Sequence, residues 1–318
     1  MRLAAVAACL SLAASPAASD IVLQLPVDCT IGDSCYIQHL PDRDPSSGVQ
    51  DYQCGGLSYD GHKGTDFALP TLAAMQAGVA VLAAAPGVVA GMRDGMPDRY
   101  YTADTDIDGR ECGNGVVIRH DDGWETQYCH MREGSVTVRT GDSVAAGQKL
   151  GDIGLSGQTQ FPHLHLSLRK DGQQADPFRQ APGCAPAPAD DTLWADPPEV
   201  SPGGLIYAGF APGIPDYDAI KQGTAAVSTL PDTAPGLVLF GFAYGAQADD
   251  VLRLDITGPD GPFLTQDITL PKTQAQLFRA TGRKRTTPTW PHGTYSGTVT
   301  LLRNGTPLDS KTVTTQVR

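Results

Sequence analysis

Glycine and proline recur along this chain so often that few stretches are long enough for a regular helix. The 318 residues include 36 glycines and 25 prolines, and few windows repeat their apolar residues with a helical period. Short apolar runs separated by turn residues are typical of β-strands joined by hairpins and loops. This feature predicts a mainly β protein, and its length is enough for two domains.

The strands of the first predicted domain lie between residues 61 and 183. The apolar runs 79–84, 88–92 and 115–120 indicate buried strands, and 124–130 alternates polar and apolar residues. The last two runs flank Asp121-Asp122-Gly123, which is typical of a hairpin turn. We therefore expect an antiparallel sheet built from hairpins.

A linker and a second β domain are predicted to follow. Residues 184–200 are rich in alanine, proline and aspartate, a composition typical of an extended connection. Residues 201–318 contain five strand-like runs and the strong hairpin signal Asn304-Gly305. This pattern predicts an immunoglobulin-like β-sandwich. Since its sequence has no titratable cluster, we interpret it as a binding or spacing module.

The N-terminus has the pattern of an export signal. One arginine precedes the apolar run 3–14, and small residues follow at 17–19, so we expect residues 1–19 to be a signal peptide. The run is too short for a bilayer anchor. Residues 20–60 have turn signals but no repeat, and we expect this lead-in to wrap the first domain. The predicted location is periplasmic or secreted.

Six cysteines follow residue 19, and an even count in an exported protein indicates three disulfides. Zinc-binding cysteines would need a C-x-x-C spacing, which the sequence lacks, so we interpret all six as structural. The sequence alone does not fix the connectivity. The pairing that we favour joins cysteines that are close in sequence or flank a hairpin, and leaves one pair by elimination: Cys29–Cys35, Cys112–Cys129 and Cys54–Cys184.

The chain is acidic, with a formal net charge of -12 at pH 7. A surface of this charge repels phosphate groups, which argues against nucleic acid or an anionic membrane as a direct partner. The sequence leaves the oligomeric state open.

Three histidine-bearing motifs carry the candidate chemistry. His62 lies four residues before Asp66, and His163 and His165 are two apart on a predicted strand, so their imidazoles face the same side. Imidazole and carboxylate are zinc ligands, and a catalytic zinc keeps three protein ligands and one open position. The predicted site therefore holds His62, Asp66 and one of the two strand histidines. His130 and the other strand histidine remain as proton-handling groups.

Five motifs follow one another along residues 62–167, about a third of the chain. They are His-x-Gly-x-Asp at 62–66, Gly-Asn-Gly-Val-Val-Ile-x-His-x-Asp-Gly at 113–123, Tyr-x-His-Met at 128–131, a glycine-rich series at 141–154 and Pro-His-Leu-His at 162–165. This series resembles the lysostaphin-type, or LytM-like, zinc metallopeptidases. The resemblance places the zinc ligands at His62, Asp66 and His165 and the catalytic histidines at His130 and His163.

The resemblance also implies a substrate. Members of this family cleave peptide bonds in the peptide stems of bacterial peptidoglycan, at glycine bridges or at cross-links with D-amino acids. His120 matches a recurring histidine that is not a ligand, and we interpret it as structural. The insertion 96–111 departs from the family pattern because it is longer than expected between its strands.

Three alternative functions compete with the zinc endopeptidase. Some relatives have lost metal ligands and only activate other wall hydrolases, but this chain retains every ligand position. A secreted protease acting on proteins is a second alternative. The glycine-spaced hairpins at 144–157 resemble biotin or lipoyl carriers, but Lys149 lies inside a predicted strand rather than at a hairpin tip.

Two further features concern metals. Asp104, Asp106 and Asp108 match the start of a calcium loop, but the twelfth position holds Gly115, so we favour a solvated acidic loop over a calcium site. The lead-in 20–60 could cover the cleft. If it does, His39 or Asp42 would reach the open position of the zinc.

Overall fold

The computed structural model describes residues 20–184 and 191–318, and these residues form a mainly β protein, as predicted. The predicted signal peptide, residues 1–19, and residues 185–190 of the predicted linker lie outside this part of the chain. Within the described ranges, no helix has the length and apolar character needed to cross a membrane.

The first half of the chain is built around one large antiparallel sheet and one small one. In chain order its elements are β1 (Tyr36–His39), β2 (Thr65–Ala68), α1 (Leu72–Ala77), β3 (Ala80–Leu82), β4 (Gly87–Arg93), β5 (Asn114–Arg119), β6 (Trp124–Met131), β7 (Ser143–Val144), β8 (Lys149–Asp152), β9 (His163–Lys170) and β10 (Gln173–Ala175). The large sheet has the order β1-β2-β9-β6-β5-β4-β7, with β10 beside β9, while β3 pairs with β8.

The alternation of side chains along β9 determines which face carries chemistry. Leu164, Leu166 and Leu168 are buried in the hydrophobic core, at most 1% exposed. His163 and His165 alternate with them and therefore point to the opposite face of the sheet. The predicted hairpin between β5 and β6 is also present, with Asp121–Gly123 as its turn. The sheet thus presents one apolar face to the core and one polar face to the site.

The three disulfides of the structure are the three favoured from the sequence. Cys29 pairs with Cys35, and Cys112 pairs with Cys129 beside the β5–β6 hairpin. The third joins Cys54 to Cys184 across a sequence separation of 130 residues. This last bond ties the lead-in to the segment that follows β10.

The second half of the chain forms two sheets. Its elements are β11 (Gly204–Ala211), α2 (Tyr217–Gln222), β12 (Thr229–Leu230), β13 (Gly236–Ala246), β14 (Val251–Gly258), β15 (Gly261–Thr269), β16 (Gln274–Lys284), β17 (Gly293–Arg303) and β18 (Thr306–Val317). Their orders are β11-β13-β16 and β12-β18-β17-β14-β15, and β12 with β18 is the one parallel pair within residues 204–317. Asn304 and Gly305 form the predicted hairpin turn between β17 and β18, both with positive φ.

The sheet β11-β13-β16 is covered on both faces. One face packs against the five-stranded sheet through an apolar core that includes Phe210, Leu239 and Val299. The other face contributes Phe240 and Phe242 to the core of the first half. The two halves of the chain therefore share an apolar interface.

Candidate metal centre

The strand register brings the predicted ligands together. Asp66 on β2 lies opposite His165 on β9, and His62 lies four residues before Asp66. Asp66 Oδ1 is 2.8 Å from His165 Nδ1 and 3.2 Å from His62 Nε2. The two imidazole nitrogens are 3.1 Å apart. His62, Asp66 and His165 thus form the group of metal-ligating side chains found in the described part of the chain.

Gly64 gives the local backbone room for this approach. A Cβ atom at this position would lie 2.6 Å from His165 Nε2 and 2.6 Å from the backbone oxygen of Leu166. Both distances are too short for a side chain, so a glycine is needed between His62 and Asp66. The close packing at this position therefore explains the glycine of the His-x-Gly-x-Asp motif.

Hydrogen bonds set the free nitrogen of each ligand imidazole. His62 Nδ1 donates to the carbonyl oxygen of Leu40 at 2.8 Å, which leaves the lone pair on Nε2. His165 Nε2 lies 3.0 Å from Ser167 Oγ, which leaves Nδ1 toward Asp66. Such partners fix the tautomer and orientation of metal-binding histidines. Both free nitrogens point at the shared carboxylate oxygen.

The spacing of the three ligand atoms fits a zinc ion. Bonds of 2.0–2.1 Å in a tetrahedral site separate the ligand atoms by about 3.3 Å. The observed separations are 2.8, 3.1 and 3.2 Å. Two imidazole nitrogens and one carboxylate oxygen are also a donor set that zinc accepts. The residues present therefore fit the metal that the sequence predicts.

The site is buried and strongly polar. Burial alone would raise the pKa of Asp66, but the imidazoles of His62 and His163 hold it well below its usual range. Burial lowers the pKa of His62, but the Asp66 carboxylate outweighs this effect and the pKa is raised. Burial lowers the pKa of His165 despite its bond to Asp66. An ionised carboxylate is therefore the stable form in this cluster.

His130 and His163 lie beside the ligand group. Their ring centroids are 4.6 Å apart, and His163 Nε2 is 3.4 Å from Asp66 Oδ1. His130 Nδ1 donates to the carbonyl oxygen of Ser156 at 2.8 Å, and His163 Nδ1 donates to that of Phe161 at 2.9 Å. In the neutral imidazoles, both Nε2 atoms are therefore left as acceptors.

His130 also has an unusual backbone and an unusual pKa. Its φ is +62°, a left-handed conformation that is uncommon for any residue other than glycine. Burial, followed by the nearby His163 and His165, lowers the pKa of His130 well below its ordinary value. Strained backbone and shifted pKa values both concentrate at functional sites. The neutral imidazole is thus the stable form of His130 at pH 7.

His120 lies apart from this cluster. Its Nδ1 donates to the carbonyl oxygen of Pro86 at 2.7 Å, and its Nε2 is 2.8 Å from Thr126 Oγ1. Both ring nitrogens are therefore used in contacts with the loop before β4 and with β6.

His39 is the site residue whose position the sequence did not specify. The register of β1 and β2 places it opposite Asp66, and its Nδ1 donates to Asp66 Oδ2 at 3.1 Å. It contacts the second carboxylate oxygen and is outside the ligand group. Asp42 accepts bonds from the backbone amides of Gln50 and Gly61. The lead-in thus brings His39 into contact with a predicted ligand, Asp66, and no sequence motif specifies this contact.

One aspartate of the acidic run in the insertion accepts a local hydrogen bond. Asp106 Oδ1 accepts from the backbone amide of Asp108 at 3.1 Å, on the exposed surface. Residues 104–109 consist of turns and irregular backbone, without a strand or helix. This geometry is that of an exposed polar loop.

The chain is similar to known peptidases over this region. The profile of Peptidase family M23 matches residues 60–177. The DD-carboxypeptidase/endopeptidase Mpg of Neisseria meningitidis serogroup B is 32% identical over 122 residues, which are 38% of this chain and 23% of Mpg. Peptidoglycan DD-endopeptidase ShyA of Vibrio cholerae serotype O1 is 31% identical over 118 residues, 37% of this chain and 22% of ShyA. The matched segment thus spans less than a quarter of either relative.

A solved structure is also similar to part of the chain. The catalytic domain of the prophage-encoded M23 protein EnpA from Enterococcus faecalis, in mutant form, aligns with 46% of this chain and 91% of its own, at 26% identity and a TM-score of 0.32. The resemblance to lysostaphin-type peptidases is confirmed by the family match and the two curated relatives: residues 60–177 match Peptidase family M23, and the chain is similar to parts of two DD-endopeptidases.

Proposed function

We propose that this protein is an exported zinc metalloendopeptidase that hydrolyses peptide cross-links of bacterial peptidoglycan. The observation that carries the proposal is the convergence of His62, Asp66 and His165, with 2.8–3.2 Å between their ligand atoms. Two further imidazoles, of His130 and His163, lie beside this group. A catalytically silent regulator has no need for such a set, so the complete site favours the enzyme.

The substrate class comes from the relatives. Mpg and ShyA are named as DD-endopeptidases, and ShyA as one that acts on peptidoglycan. The three disulfides fit an oxidising compartment outside the cytoplasm, where peptidoglycan is found. Both points support a wall substrate reached after export.

In this proposal, three residues hold the metal and two transfer protons. A zinc ion held by His62, Asp66 and His165 would supply Lewis acidity toward the scissile carbonyl and lower the pKa of water. In His130 and His163 the Nε2 atom is the ring nitrogen not bonded to a backbone carbonyl, and it can take a proton from the attacking water and return one to the leaving amine. Once protonated, either imidazole can donate a hydrogen bond to the developing oxyanion.

Digestion of purified peptidoglycan by the purified protein, with mass spectrometry of the released peptides, tests the proposal. We expect about one zinc per chain by elemental analysis and cleavage between peptide stems that stops with a chelator and returns with added zinc. The mass of the products identifies the bond that is cut.

Matched histidine variants provide the control. His165→Ala should lose both zinc and activity, because it removes a ligand. His292→Ala should keep both, since His292 is exposed and paired with Asp232 in the second half of the chain. Wall hydrolysis by fully zinc-depleted protein would contradict the proposal, and stoichiometric zinc without hydrolysis of wall or peptide would favour a regulatory role.

A further inference from the structure

A cleft lies beside the histidine cluster, between two segments that the family resemblance does not explain. One is the insertion 96–111, and the other is α2, which lies outside residues 60–177. The cleft has a volume of about 550 Å³. Its walls are aromatic and polar side chains from both halves of the chain: Tyr100, Tyr101 and Phe161 on one side, and Tyr217, Lys221 and Gln276 on the other.

The cleft reaches the catalytic histidines through Phe161. The ring of Phe161 stacks on that of His163, with centroids 4.4 Å apart and planes at 27°. The backbone amide of Tyr101 donates to the carbonyl oxygen of Thr159 at 2.8 Å, and Thr159 Oγ1 is 3.1 Å from His163 Nδ1. A molecule bound against Phe161 would therefore lie next to a residue of the proposed active site.

The wall from the second half is held firmly in place. Ile220 of α2 is fully buried in the shared core. A Cβ atom on Gly223, which ends α2, would be 2.9 Å from Thr71 Oγ1, so the two halves are in close contact here. At the start of β16, Gln38 Nε2 donates to the carbonyl oxygen of Ala275 at 3.0 Å. The cleft is thus formed before any ligand binds.

Lys221 supplies a positive charge inside this cleft. Its Nζ lies 4.5 Å from the ring centroid of Tyr100 and 5.1 Å from that of Tyr217. Its acidic partner, Asp218, is 2.8 Å away, but that side chain is 78% exposed. Exposed ion pairs contribute little, so the ammonium group can exchange this partner for a better one.

Tyr100, on the wall opposite Lys221, supplies an unsatisfied donor. Burial, with a smaller contribution from Asp218, raises the pKa of Tyr100 to about 12, so the phenol is neutral at pH 7. Its hydroxyl oxygen is buried and has no hydrogen-bond partner within residues 20–184 and 191–318. Buried polar groups without partners are rare, and a ligand or water commonly satisfies them.

We propose that this cleft is a substrate subsite, and that Lys221 binds a carboxylate of the peptide stem on the Phe161 side of the scissile bond. The inference rests on the proposed function and adds to it a recognition element from the second half of the chain. An ammonium group binds a carboxylate by a charge-assisted hydrogen bond, and the tyrosine rings can cover the apolar part of the same residue. A free acid should therefore bind better than its amide.

A pair of synthetic stem peptides tests the subsite, one with a free C-terminal carboxylate and one with a C-terminal amide. Binding is measured by calorimetry in an Asp66→Asn background, which prevents hydrolysis. We expect roughly tenfold tighter binding of the acid, the scale of one hydrogen bond to a charged group. Lys221→Gln should remove this preference, and Lys221→Arg should retain most of it.

Lys284→Gln is the matched control, because Lys284 is exposed at the far end of β16 and should leave the preference unchanged. A purely structural role for Lys221 predicts a lower melting temperature with both peptides affected equally. Equal binding of acid and amide, no binding of either, or an unchanged ratio in Lys221→Gln would each overturn the subsite. Failure of zinc-loaded wild type to cut peptidoglycan, with the acid preference intact, would instead count against the proposed function.

Discussion

The sheet that carries the histidines and the sandwich that follows it both bury apolar faces, but they bury different polar groups. In the first half, His39, His62, Asp66, His130 and His163 are all less than 9% exposed and gather at one point. Within residues 204–317, the buried polar side chains are Asp250 and Thr315. Asp250 accepts two bonds from Arg303, at 3.0 and 2.8 Å.

This difference separates two reasons for burying charge. Asp250 and Arg303 form one bidentate pair, and Arg303 also donates to the carbonyl oxygen of Gly245. Asp66 instead faces several imidazoles at once, with lone pairs aimed at a common point. Removing one partner of a satisfied buried pair destabilises the fold, whereas ligand atoms converging on one point are typical of a metal site. Each half therefore predicts a different result when its buried charge is removed.

The largest expected effect is on catalysis. His130→Asn removes a titratable group but keeps a residue that tolerates the left-handed backbone found there. Because His130 belongs to the proposed proton-handling pair and lies outside the ligand group, we expect kcat to fall by roughly 10²–10⁴-fold with zinc content unchanged. Kinetics on a synthetic cross-linked peptide, with elemental analysis, would measure both.

The same residue predicts the acid limb of the pH profile. Because burial, together with the nearby His163 and His165, keeps the pKa of His130 well below its ordinary value, we expect its imidazole to remain neutral, and kcat to persist, in mildly acidic solution. A loss of zinc in His130→Asn would show that His130 supports the metal rather than the proton transfer.

A smaller effect, on stability alone, is expected in the sandwich. Asp250→Ala leaves the guanidinium of Arg303 unpaired in a mostly buried position, so we expect the free energy of unfolding to fall by about 3–5 kcal/mol. Zinc affinity should not change. Denaturant unfolding followed by circular dichroism would measure the loss.

The exposed pair Arg253–Asp267 is the matched control for this prediction. It has similar distances, 2.7 and 2.8 Å, but its side chains are 44% and 48% exposed. Solvent screens such a pair, so Asp267→Ala should change stability far less. Equal losses in the two variants would mean that burial is not what makes the Asp250 pair important.

The features that could be predicted from the sequence are those that depend on the spacing of neighbouring residues. The alternation along β9 and the hairpin at Asp121–Gly123 depend on neighbouring residues, and both are present in the structure. The ligand set came from motif order and family resemblance. His39 was a candidate from the sequence, but its bond to Asp66 could not be predicted, because the contact depends on which strand pairs with β2 and nothing in residues 36–39 specifies that partner. The cleft at Lys221 could not be predicted for the same reason, because it forms only where two segments distant in sequence pack together.

The smallest expected effect is on zinc affinity. It tests whether the contact of His39 with Asp66 supports the metal site. His39 Nδ1 donates to Asp66 Oδ2, while Oδ1 faces the ligand nitrogens. Partners of this kind orient a metal-binding carboxylate, and their loss typically weakens metal binding by roughly 10–100-fold. We therefore expect His39→Ala to raise the zinc dissociation constant by that factor, measured by competition with a chromogenic chelator.

His39→Asn sharpens this last prediction. The amide nitrogen of asparagine can occupy nearly the position of Nδ1 and donate the same bond, so this variant should recover most of the affinity. Recovery would assign the effect to the hydrogen bond with Asp66. If His39→Ala binds zinc as tightly as wild type, the lead-in strand only covers the site. If both variants lose affinity equally, the imidazole acts through its packing against the neighbouring rings of Tyr59 and Phe161.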